Sequence, residues 1–264
     1  MILLNPADYA RVMPLFDTYW YLRPVIYAVL EGTQPGEVLV DDPAQPETAV
    51  LWGDFFYLAG DADNDAFNAA LVDRITQEAV PNREHILVYG AHERWLAVLP
   101  ELLGPLGVHQ LARSVFAFDA DAFRQRAAAL RRPLPGGLTL RPLDEATALQ
   151  VGGIPELWGS VEQFLGHGWG YCVLQGDEFV SSCQTVFVGD GSAEIGVGTR
   201  EPYRRQGFAR AVACATLEEA LRRGILPEWG CVYNPASGAL GQSLGFTPLS
   251  DVPFFYVRGA RGRA

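Results

Sequence analysis

The chain has 264 residues, a formal net charge of −11 and a hydrophobic fraction of 49%. This length favours two domains of ordinary size, and the hydrophobic fraction excludes a disordered chain. The acidic balance argues against nucleic acid as a partner, and no apolar run approaches the ~20 residues of a membrane span. Because the N-terminus lacks a signal-peptide pattern, we expect a cytoplasmic protein with no membrane partner. Formation of a homo-oligomer stays open.

The first half, residues 1–130, is strongly acidic, with 8 Arg against 18 Asp and Glu. Its apolar runs predict alternating strands and helices, among them a strand at 55–59 and a helix at 66–79. Between these two lies an acidic loop, residues 60–65. Alternation of this kind predicts the α/β (α+β) class, with a mixed β-sheet flanked by helices in each half.

A Pro- and Gly-rich stretch at residues 131–137 follows a helical pattern and predicts a linker. We therefore expect a first domain at 1–130, a second domain at 138–258 and a flexible tail at 259–264. The second half is nearly neutral, with 12 Arg against 13 Asp and Glu. An anionic ligand is therefore expected to bind more favourably in the second half than in the first.

The two halves share residues in the same order. The matching pairs are Pro6 with Pro142, Asp8 with Asp144, residues 27–32 with 171–176, and residues 88–89 with 232–233. Their nearly constant offset, 136 to 144 residues, indicates a tandem duplication. Two unrelated α/β segments that share common turn residues are the alternative.

A strand pattern at residues 194–199 carries the first sign of chemistry. One face presents Ile195, Val197 and Thr199, which suit a core. The other face presents Glu194, Gly196 and Gly198. Two glycines beside one carboxylate suggest that a ligand approaches the backbone closely. A bulge or a crowded packing site is the alternative.

The strand leads into a basic loop that contains Arg204, Arg205, Gln206 and Gly207, and then into a helix at 208–223. Unpaired backbone N–H groups at a helix N-terminus favour anions, and glycine lets phosphates come close. The loop and helix therefore predict a pyrophosphate cradle. A solvated Arg pair is the alternative.

The spacing Arg204-x-x-Gly207-x-Ala209 resembles the signature of the GCN5-related N-acetyltransferase (GNAT) superfamily. The downstream pieces Asn234-x-x-Ser237 and Leu244-Gly245-Phe246 resemble its fifth strand and following helix, and are similar to the subgroup around the zwittermicin A resistance acetyltransferase. The resemblance implies a tandem GNAT-like fold and acetyl-CoA as the donor. The donor contacts that it implies are Val197, Gly198, Thr199, Arg204, Arg205, Gln206, Gly207, Phe208, Ala209, Asn234 and Ser237. No pair of cysteines shows CxxC spacing and no His lies close enough to suggest a zinc site, so we expect no metal.

One position departs from the family pattern. Many members carry a Tyr four residues before the Gly-Phe pair, where it protonates the leaving CoA thiolate, and this chain has Gly241 there. The departure puts the identity of the general acid in doubt. Tyr233 and Tyr256 lie nearby in the pattern, although a role as strand aromatics is the alternative.

The expected reaction is the direct attack of a small-molecule amine on the thioester. Glu194 is the candidate general base, with an ordinary surface carboxylate as the alternative. Backbone N–H groups of residues 197–199 would polarise the carbonyl. Cys183 and Cys231 have no His or Arg partner in the sequence pattern, so we expect buried thiols and no covalent intermediate.

The acceptor side is defined less well. The candidate lining residues are Trp158, Glu162, Phe164, His167 and Trp169. A core-facing amphipathic helix explains the same residues equally well. Two other functions stay open: transfer of an aminoacyl or other acyl group, and non-enzymatic binding of CoA.

The first half is expected to be a degenerate copy. An offset of 144 carries Arg204 onto Gly60 and places the acidic residues 61–65 where the basic loop would be. Bulky Phe55 and Tyr57 occupy strand positions comparable to the two glycines. We therefore predict that only the second half binds CoA.

Overall fold

The computed structural model describes residues 1–130 and 134–263, so residues 131–133 of the predicted linker and the last residue of the predicted tail lie outside the described part. Within that part, no helix has the length and apolar character needed to cross a membrane. The strands, in chain order, are β1 (Ile2–Leu3), β2 (Glu37–Val40), β3 (Thr48–Trp52), β4 (Phe56–Gly60), β5 (His85–Gly90), β6 (His109–Phe118), β7 (Leu138–Pro142), β8 (Gly170–Gln175), β9 (Glu178–Gly189), β10 (Ser192–Thr199), β11 (Leu226–Cys231) and β12 (Phe246–Arg258).

Helices connect most of these strands. The α-helices are α1 (Met13–Phe16), α2 (Arg23–Leu30), α3 (Asp65–Arg74), α4 (Val80–Asn82), α5 (Glu93–Leu102), α6 (Ala120–Leu130), α7 (Glu145–Ala148), α8 (Ile154–Trp158), α9 (Val161–His167), α10 (Phe208–Arg223) and α11 (Pro235–Ser243). A π-helical turn at Ile75–Ala79 continues α3, and short 3-10 turns occur at Pro6–Arg11, Gly104–Leu106, Glu201–Tyr203 and Ala260–Arg263. The mixed α/β class is confirmed.

Several predicted elements occur where local sequence signals placed them. Helix α10 spans the predicted residues 208–223 and ends at Gly224, whose φ of 71° is left-handed. Glycine suits that C-terminal position because it has no Cβ. Strand β7 begins at Leu138 and leads to Asp144, which caps α7 through a reciprocal side-chain box with Thr147.

The chain divides into two compact units that do not follow the predicted ranges 1–130 and 138–258. The first unit contains residues 1–22, 36–113 and 251–264, and the second contains residues 23–35 and 114–250. Helix α2 comes from the N-terminal half, yet it packs against β9 and β10 in the second unit. The C-terminal part of β12 belongs to the first unit.

Both units share one strand topology. In the first unit, β1 to β4 are successively antiparallel, β4 and β5 are parallel, and β12 closes the order antiparallel to β5. In the second unit, β7 to β10 are successively antiparallel, β10 and β11 are parallel, and β6 closes the order antiparallel to β11. Each unit therefore takes its last strand from the other half of the chain.

The second unit has its main core beneath α10. This helix packs across β8, β9 and β10 and buries Val212 and Leu217 against Ile195 and Val180. A separate core in the first unit includes Trp95, Leu71 and Phe255. Burial of large apolar side chains of this kind contributes about 1.5–3 kcal/mol for each residue.

One of the repeat matches is wrong as a structural equivalence. Residues 27–32 begin in helix α2, whereas residues 171–176 begin in strand β8. The same short run of letters therefore serves two kinds of element. The predicted flexible tail also differs, because Gly259 N–H donates to Glu84 O (3.0 Å) and a 3-10 turn follows at Ala260–Arg263.

Candidate functional site

The parallel strands β10 and β11 run together for only part of their length. The register pairs Ser192 with Leu226 and ends at Glu194 with Glu228. Strand β10 continues to Thr199, whereas the following residues of β11 pair with β6, beginning with Trp229 opposite Phe116. The described ladder between β10 and β11 therefore stops before the glycine-containing end of β10. Beyond this point β10 keeps its pairing with β9, and its edge towards β11 has no ladder partner on β11 among the described residues.

A cavity of about 820 Å³ lies at this open end, within the second unit. Its lining contains every predicted donor-contact residue, namely Val197, Gly198, Thr199, Arg204, Arg205, Gln206, Gly207, Phe208, Ala209, Asn234 and Ser237. The structure thus brings together three separate stretches of sequence. A volume of this size is typical of a small-molecule site.

Sequence reasoning missed some of the lining residues, which are Leu134, Pro135, Tyr203, Arg210, Ala211, Ala236 and Leu240. Arg210 is the notable omission. It lies in the first turn of α10, and its Nε is buried without a hydrogen-bond acceptor among the described residues. Its position one residue beyond the matched loop motif was the available signal.

The two glycines of β10, Gly196 and Gly198, are required for different structural reasons. A Cβ at Gly196 would lie 2.7 Å from Cγ2 of Val186, so packing alone requires glycine there. This was the alternative explanation given by the sequence. A Cβ at Gly198 would meet no atom within 4 Å, and Gly198 lines the cavity. Only Gly198 therefore clears space beside the ligand cavity.

The basic loop is held by its own hydrogen bonds. Arg204 Nε donates to the carbonyl of Thr199 (3.2 Å), and Gln206 Nε2 donates to the carbonyl of Pro202 (3.1 Å). Arg205 and Gly207 have left-handed φ angles of 61° and 90°. Such a conformation costs roughly 1–2 kcal/mol for a residue with a Cβ, and it is typical of binding loops.

The electrostatics of the cavity favour an anion. Arg204, Arg205 and Arg210 line it, and its described lining includes no Asp or Glu. Helix α10 begins behind Gly207, which provides no side-chain cap, so the first-turn N–H groups and the positive end of the helix dipole face the loop. Phosphate groups are the ligands that such an arrangement prefers.

The opposite wall is built by the start of α11. Asn234 Oδ1 accepts the backbone N–H of Ser237 (3.1 Å), which caps the helix. Trp229 Nε1 donates to Ser237 Oγ (3.2 Å). Tyr233 has a φ of 47° and is 75% exposed after the end of β11, so it is not a packed strand aromatic.

Trp229 also explains the missing tyrosine. A Cβ at Gly241 would lie 3.2 Å from both Cδ1 and Nε1 of Trp229. The indole therefore covers the helix face where a tyrosine side chain would begin. An aromatic residue at position 241 would require Trp229 to move.

Glu194 is placed differently from the predicted donor contacts. It is half-buried on β10 beside Phe187 of β9 and Glu228 of β11, and the described lining of the cavity does not include it. It lies on the same strand as Val197, three residues before it. The structure therefore puts this carboxylate at the closed end of the strand gap.

The candidate acceptor residues divide into core and surface. Trp158 and Phe164 are buried and contact each other edge to face at 5.5 Å, and Trp169 is also buried. Glu162 and His167 are exposed. The aromatic members are thus core residues, as in the alternative explanation, and they do not form an acceptor wall.

Most of the thiols are structural. Cys183 is buried, as expected, and so are Cys172 and Cys214, whereas Cys231 is only partly buried and the expectation for it is wrong. Burial raises the pKa of the Cys183 thiol to about 12. A thiol with so high a pKa is a poor nucleophile at neutral pH.

The counterpart of the strand gap in the first unit is closed. Strand β4 pairs with β5 from Phe56 to Leu58, and Ala91 N–H adds a bond to the carbonyl of Leu58 (3.0 Å). The hydroxyl of buried Tyr19 lies within hydrogen-bond distance of the carbonyls of Leu58 (2.9 Å) and Tyr89 (3.0 Å). A protein side chain thus occupies the strand ends in this unit.

The loop after β4 also lacks a cradle. Gly60, onto which the offset carries Arg204, is the last residue of β4, and only residues 61–64 separate it from α3. Residues 200–207 form the longer connection in the second unit. The side chain of Asn64 caps α3 by accepting the N–H of Phe67 (3.1 Å). The backbone N–H of Phe67 at the start of α3 is therefore already hydrogen-bonded and is not free for a phosphate.

Comparisons with known proteins agree on one family. A family model described as GNAT acetyltransferase matches residues 13–254. A Bacillus subtilis (strain 168) protein called uncharacterized N-acetyltransferase YdfB is 30% identical over 261 residues, which cover 96% of this chain and 97% of that protein.

Solved structures give the same result for the fold. A GCN5-related N-acetyltransferase-like protein from Streptococcus suis superposes with a TM-score of 0.73 and 25% identity, covering 96% of this chain and 99% of that one. A tandem GNAT protein from the clavulanic acid biosynthesis pathway superposes with a TM-score of 0.61 and 14% identity, covering 97% of both chains. The fold is thus tandem GNAT-like.

Proposed function

Because the chain belongs to the GNAT acetyltransferase family and is an acyltransferase, we propose that it transfers an acetyl group from acetyl-CoA to the amine of a small molecule. The observation that most directly supports this proposal is the cavity at the open end of β10, where three Arg side chains lie beside the uncapped start of α10. The narrower resemblance to the zwittermicin A resistance subgroup stays a prediction.

The residues of the cavity fit the chemistry of CoA. The pyrophosphate would be held by the loop at Arg204 and Arg205 and by N–H groups at the start of α10. The amide-containing arm would lie between Gly198 and the side chains of Asn234 and Ser237. Gly198 supports this placement because nothing lies within 4 Å of its missing Cβ.

When bound, acetyl-CoA supplies an activated thioester. The chain supplies orientation, since a fixed donor and acceptor react as if they were one molecule. Backbone N–H groups of residues 197–199 lie beyond the last register pair of β10 with β11, where they would polarise the acyl carbonyl.

Glu194 is the proposed base for the acceptor amine. A protonated amine has no lone pair for attack, so a carboxylate that takes its proton directly or through a water speeds the reaction. The support for this role is the position of Glu194 on β10, the strand that also carries the cavity-lining residues Val197 to Thr199, and its half-buried side chain.

Ligand analysis and turnover test the proposal together. We expect native mass spectrometry of the purified protein incubated with acetyl-CoA to detect one bound donor per chain, and a panel of small amines to yield at least one acetylated product. The matched control carries Arg204→Ala and Arg205→Ala. If the protein strongly preferred propionyl-CoA or another acyl-CoA to acetyl-CoA, the transferred group would not be acetyl. The absence of any CoA binding would reject the proposal.

A further inference from the structure

Trp229 connects the position of the missing tyrosine with a hydroxyl one helical turn earlier. Residues four apart lie on the same face of a helix, so Ser237 and Gly241 share one face of α11. The Trp229 indole covers Gly241, and the same ring donates its Nε1–H to Ser237 Oγ (3.2 Å). The ring thus excludes a side chain at one position and orients the side chain at the other.

The orientation of Ser237 leaves its proton available. Its oxygen accepts the indole N–H, and its backbone N–H is fixed by Asn234 Oδ1 (3.1 Å). A serine hydroxyl has one proton to donate besides its acceptor lone pairs. Among the described residues no acceptor receives that proton, and Ser237 lines the cavity. A hydroxyl that already accepts a hydrogen bond is also a stronger donor.

We propose that the Ser237 hydroxyl donates a hydrogen bond to the sulfur of the departing CoA and so replaces the tyrosine that Gly241 lacks. Trp229 is the positioning residue for this donor. The inference rests on the proposed function, since it requires CoA in the cavity.

The step balances without a further reactant. The amine nitrogen forms the new bond to the acyl carbon, the carbon–sulfur bond breaks, and its electron pair stays on sulfur. The proton of the amine leaves to the base or to solvent, and sulfur takes a proton from water. Ser237 keeps its own proton, because its role is to stabilise the negative charge that develops on sulfur.

The bound thiol of CoA itself provides a direct readout that does not depend on turnover. Thiolate absorbs in the ultraviolet, so a pH titration of the CoA–protein complex gives the pKa of the bound thiol. A hydrogen bond to a charged group contributes about 1.5–3 kcal/mol, which corresponds to about one to two pKa units. We expect Ser237→Ala to raise the pKa of the bound thiol by that amount and to lower kcat about 10- to 100-fold.

Three further variants separate the role from a structural effect. Ser243→Ala removes a hydroxyl from the same helix that instead bonds the carbonyl of Leu240 (2.7 Å), so it should leave both readouts unchanged. Ser237→Thr should keep most of the effect because it keeps the hydroxyl. Trp229→Phe should raise the thiol pKa by less than Ser237→Ala does, because it removes only the orienting N–H.

The possible results distinguish the two proposals. If the wild-type protein binds no CoA, the proposed function fails. If CoA binds with similar affinity to wild type and Ser237→Ala, and neither the thiol pKa nor kcat changes, the proposed function stands and the role of Ser237 is overturned. Desulfo-CoA provides a second check, since its affinity should be the same in both proteins.

Discussion

Glu194 of β10 and Glu228 of β11 are register partners at the last paired position of these two parallel strands. Register partners on neighbouring strands present their side chains on the same face of a sheet, so both glutamate side chains leave the sheet on one face. The strands separate immediately beyond this pair. A carboxylate here is close to the end of the β10–β11 ladder and outside the lining of the basic cavity, and the proposed role as the base for the acceptor depends on this position.

The role of Glu194 predicts the behaviour of Glu194→Gln. The amide cannot accept the amine proton, so we expect kcat to fall by about 10²–10⁴-fold, with little change in donor affinity. The acid limb of the kcat profile should flatten, because the loss of rate at low pH reflects protonation of the base. Steady-state kinetics across a pH series would measure both effects.

Glu228→Gln is the matched comparison for this variant, since it removes the same charge from the neighbouring strand. We expect a smaller loss of kcat and an acid limb that persists. A larger effect at Glu228 would transfer the role of base to that residue. Wild-type kcat in both variants at every pH would remove the pair from the mechanism.

The donor loop predicts a second result. Replacing Arg204 and Arg205 together by Ala should weaken CoA binding by roughly 2–4 kcal/mol, because each charge-assisted hydrogen bond contributes about 1.5–3 kcal/mol and the two overlap. Calorimetry would measure the change. A control with Arg124→Ala and Arg141→Ala removes the same charge from exposed positions outside the described lining and should bind normally. Equal affinity in both double variants would reject the cradle.

Local signals predicted residues that the structure brings together around one cavity, whereas the long-range strand pairing could not be predicted. Helix α10 was predicted residue for residue because a glycine precedes it and Gly224 ends it. The exchange of β6 and β12 was not predicted, since an apolar strand fits either sheet equally well by its own pattern. The reason for Gly196 also depended on a cross-strand neighbour, Val186, that no periodicity reveals.

The contact of Gly241 with Trp229 predicts opposite effects for two equivalent substitutions. Gly166→Ala in α9 adds a Cβ that meets no atom within 4 Å, so it should stabilise the protein by about 0.5–1 kcal/mol. Gly241→Ala gains the same helix preference but places its Cβ 3.2 Å from the indole, and overpacking costs about 1–3 kcal/mol. We expect a net loss in urea unfolding. Stabilisation by both substitutions would contradict the packing role of Trp229.

The end of α10 predicts a pH-dependent stability. Hydrogen bonds from Arg222, and then from Arg223, lower the pKa of Glu219 from its usual 4.5 to about 2. A carboxyl with a lowered pKa stabilises the folded state above about pH 4.5, and the contribution is lost as the pH falls towards 2. Because Arg222 is largely exposed, solvent screens the ion pair. Glu219→Gln should therefore lower the free energy of unfolding by about 0.5–1 kcal/mol at pH 7, and by progressively less below pH 4.5. Urea unfolding at several pH values would measure this difference, and a constant difference would contradict it.

The final prediction is that the first unit binds no CoA, because three features of its counterpart site oppose a pyrophosphate. The loop after β4 is confined to residues 61–64, it contains Asp61 and Asp63 but no Arg, and Asp63 is already paired with Arg94. Asn64 already caps α3, so the helix start has one donor fewer to offer. The Tyr19 hydroxyl joins the carbonyls of Leu58 and Tyr89 at the strand ends.

Calorimetric titration of the whole chain with acetyl-CoA should therefore give a stoichiometry of one. In the variant with Arg204→Ala and Arg205→Ala, the heat of this single binding event should be lost over the same concentration range. If the first unit also bound acetyl-CoA, the variant would still give about half of the wild-type binding heat. Tyr19→Phe should leave stoichiometry and affinity unchanged, because its hydroxyl closes the first unit and touches no donor. It should lower the free energy of unfolding by about 1 kcal/mol through the lost hydrogen bond. A crystal soaked with acetyl-CoA that contains a second molecule near Gly60 and Asp63 would overturn the assignment of the first unit as a degenerate copy.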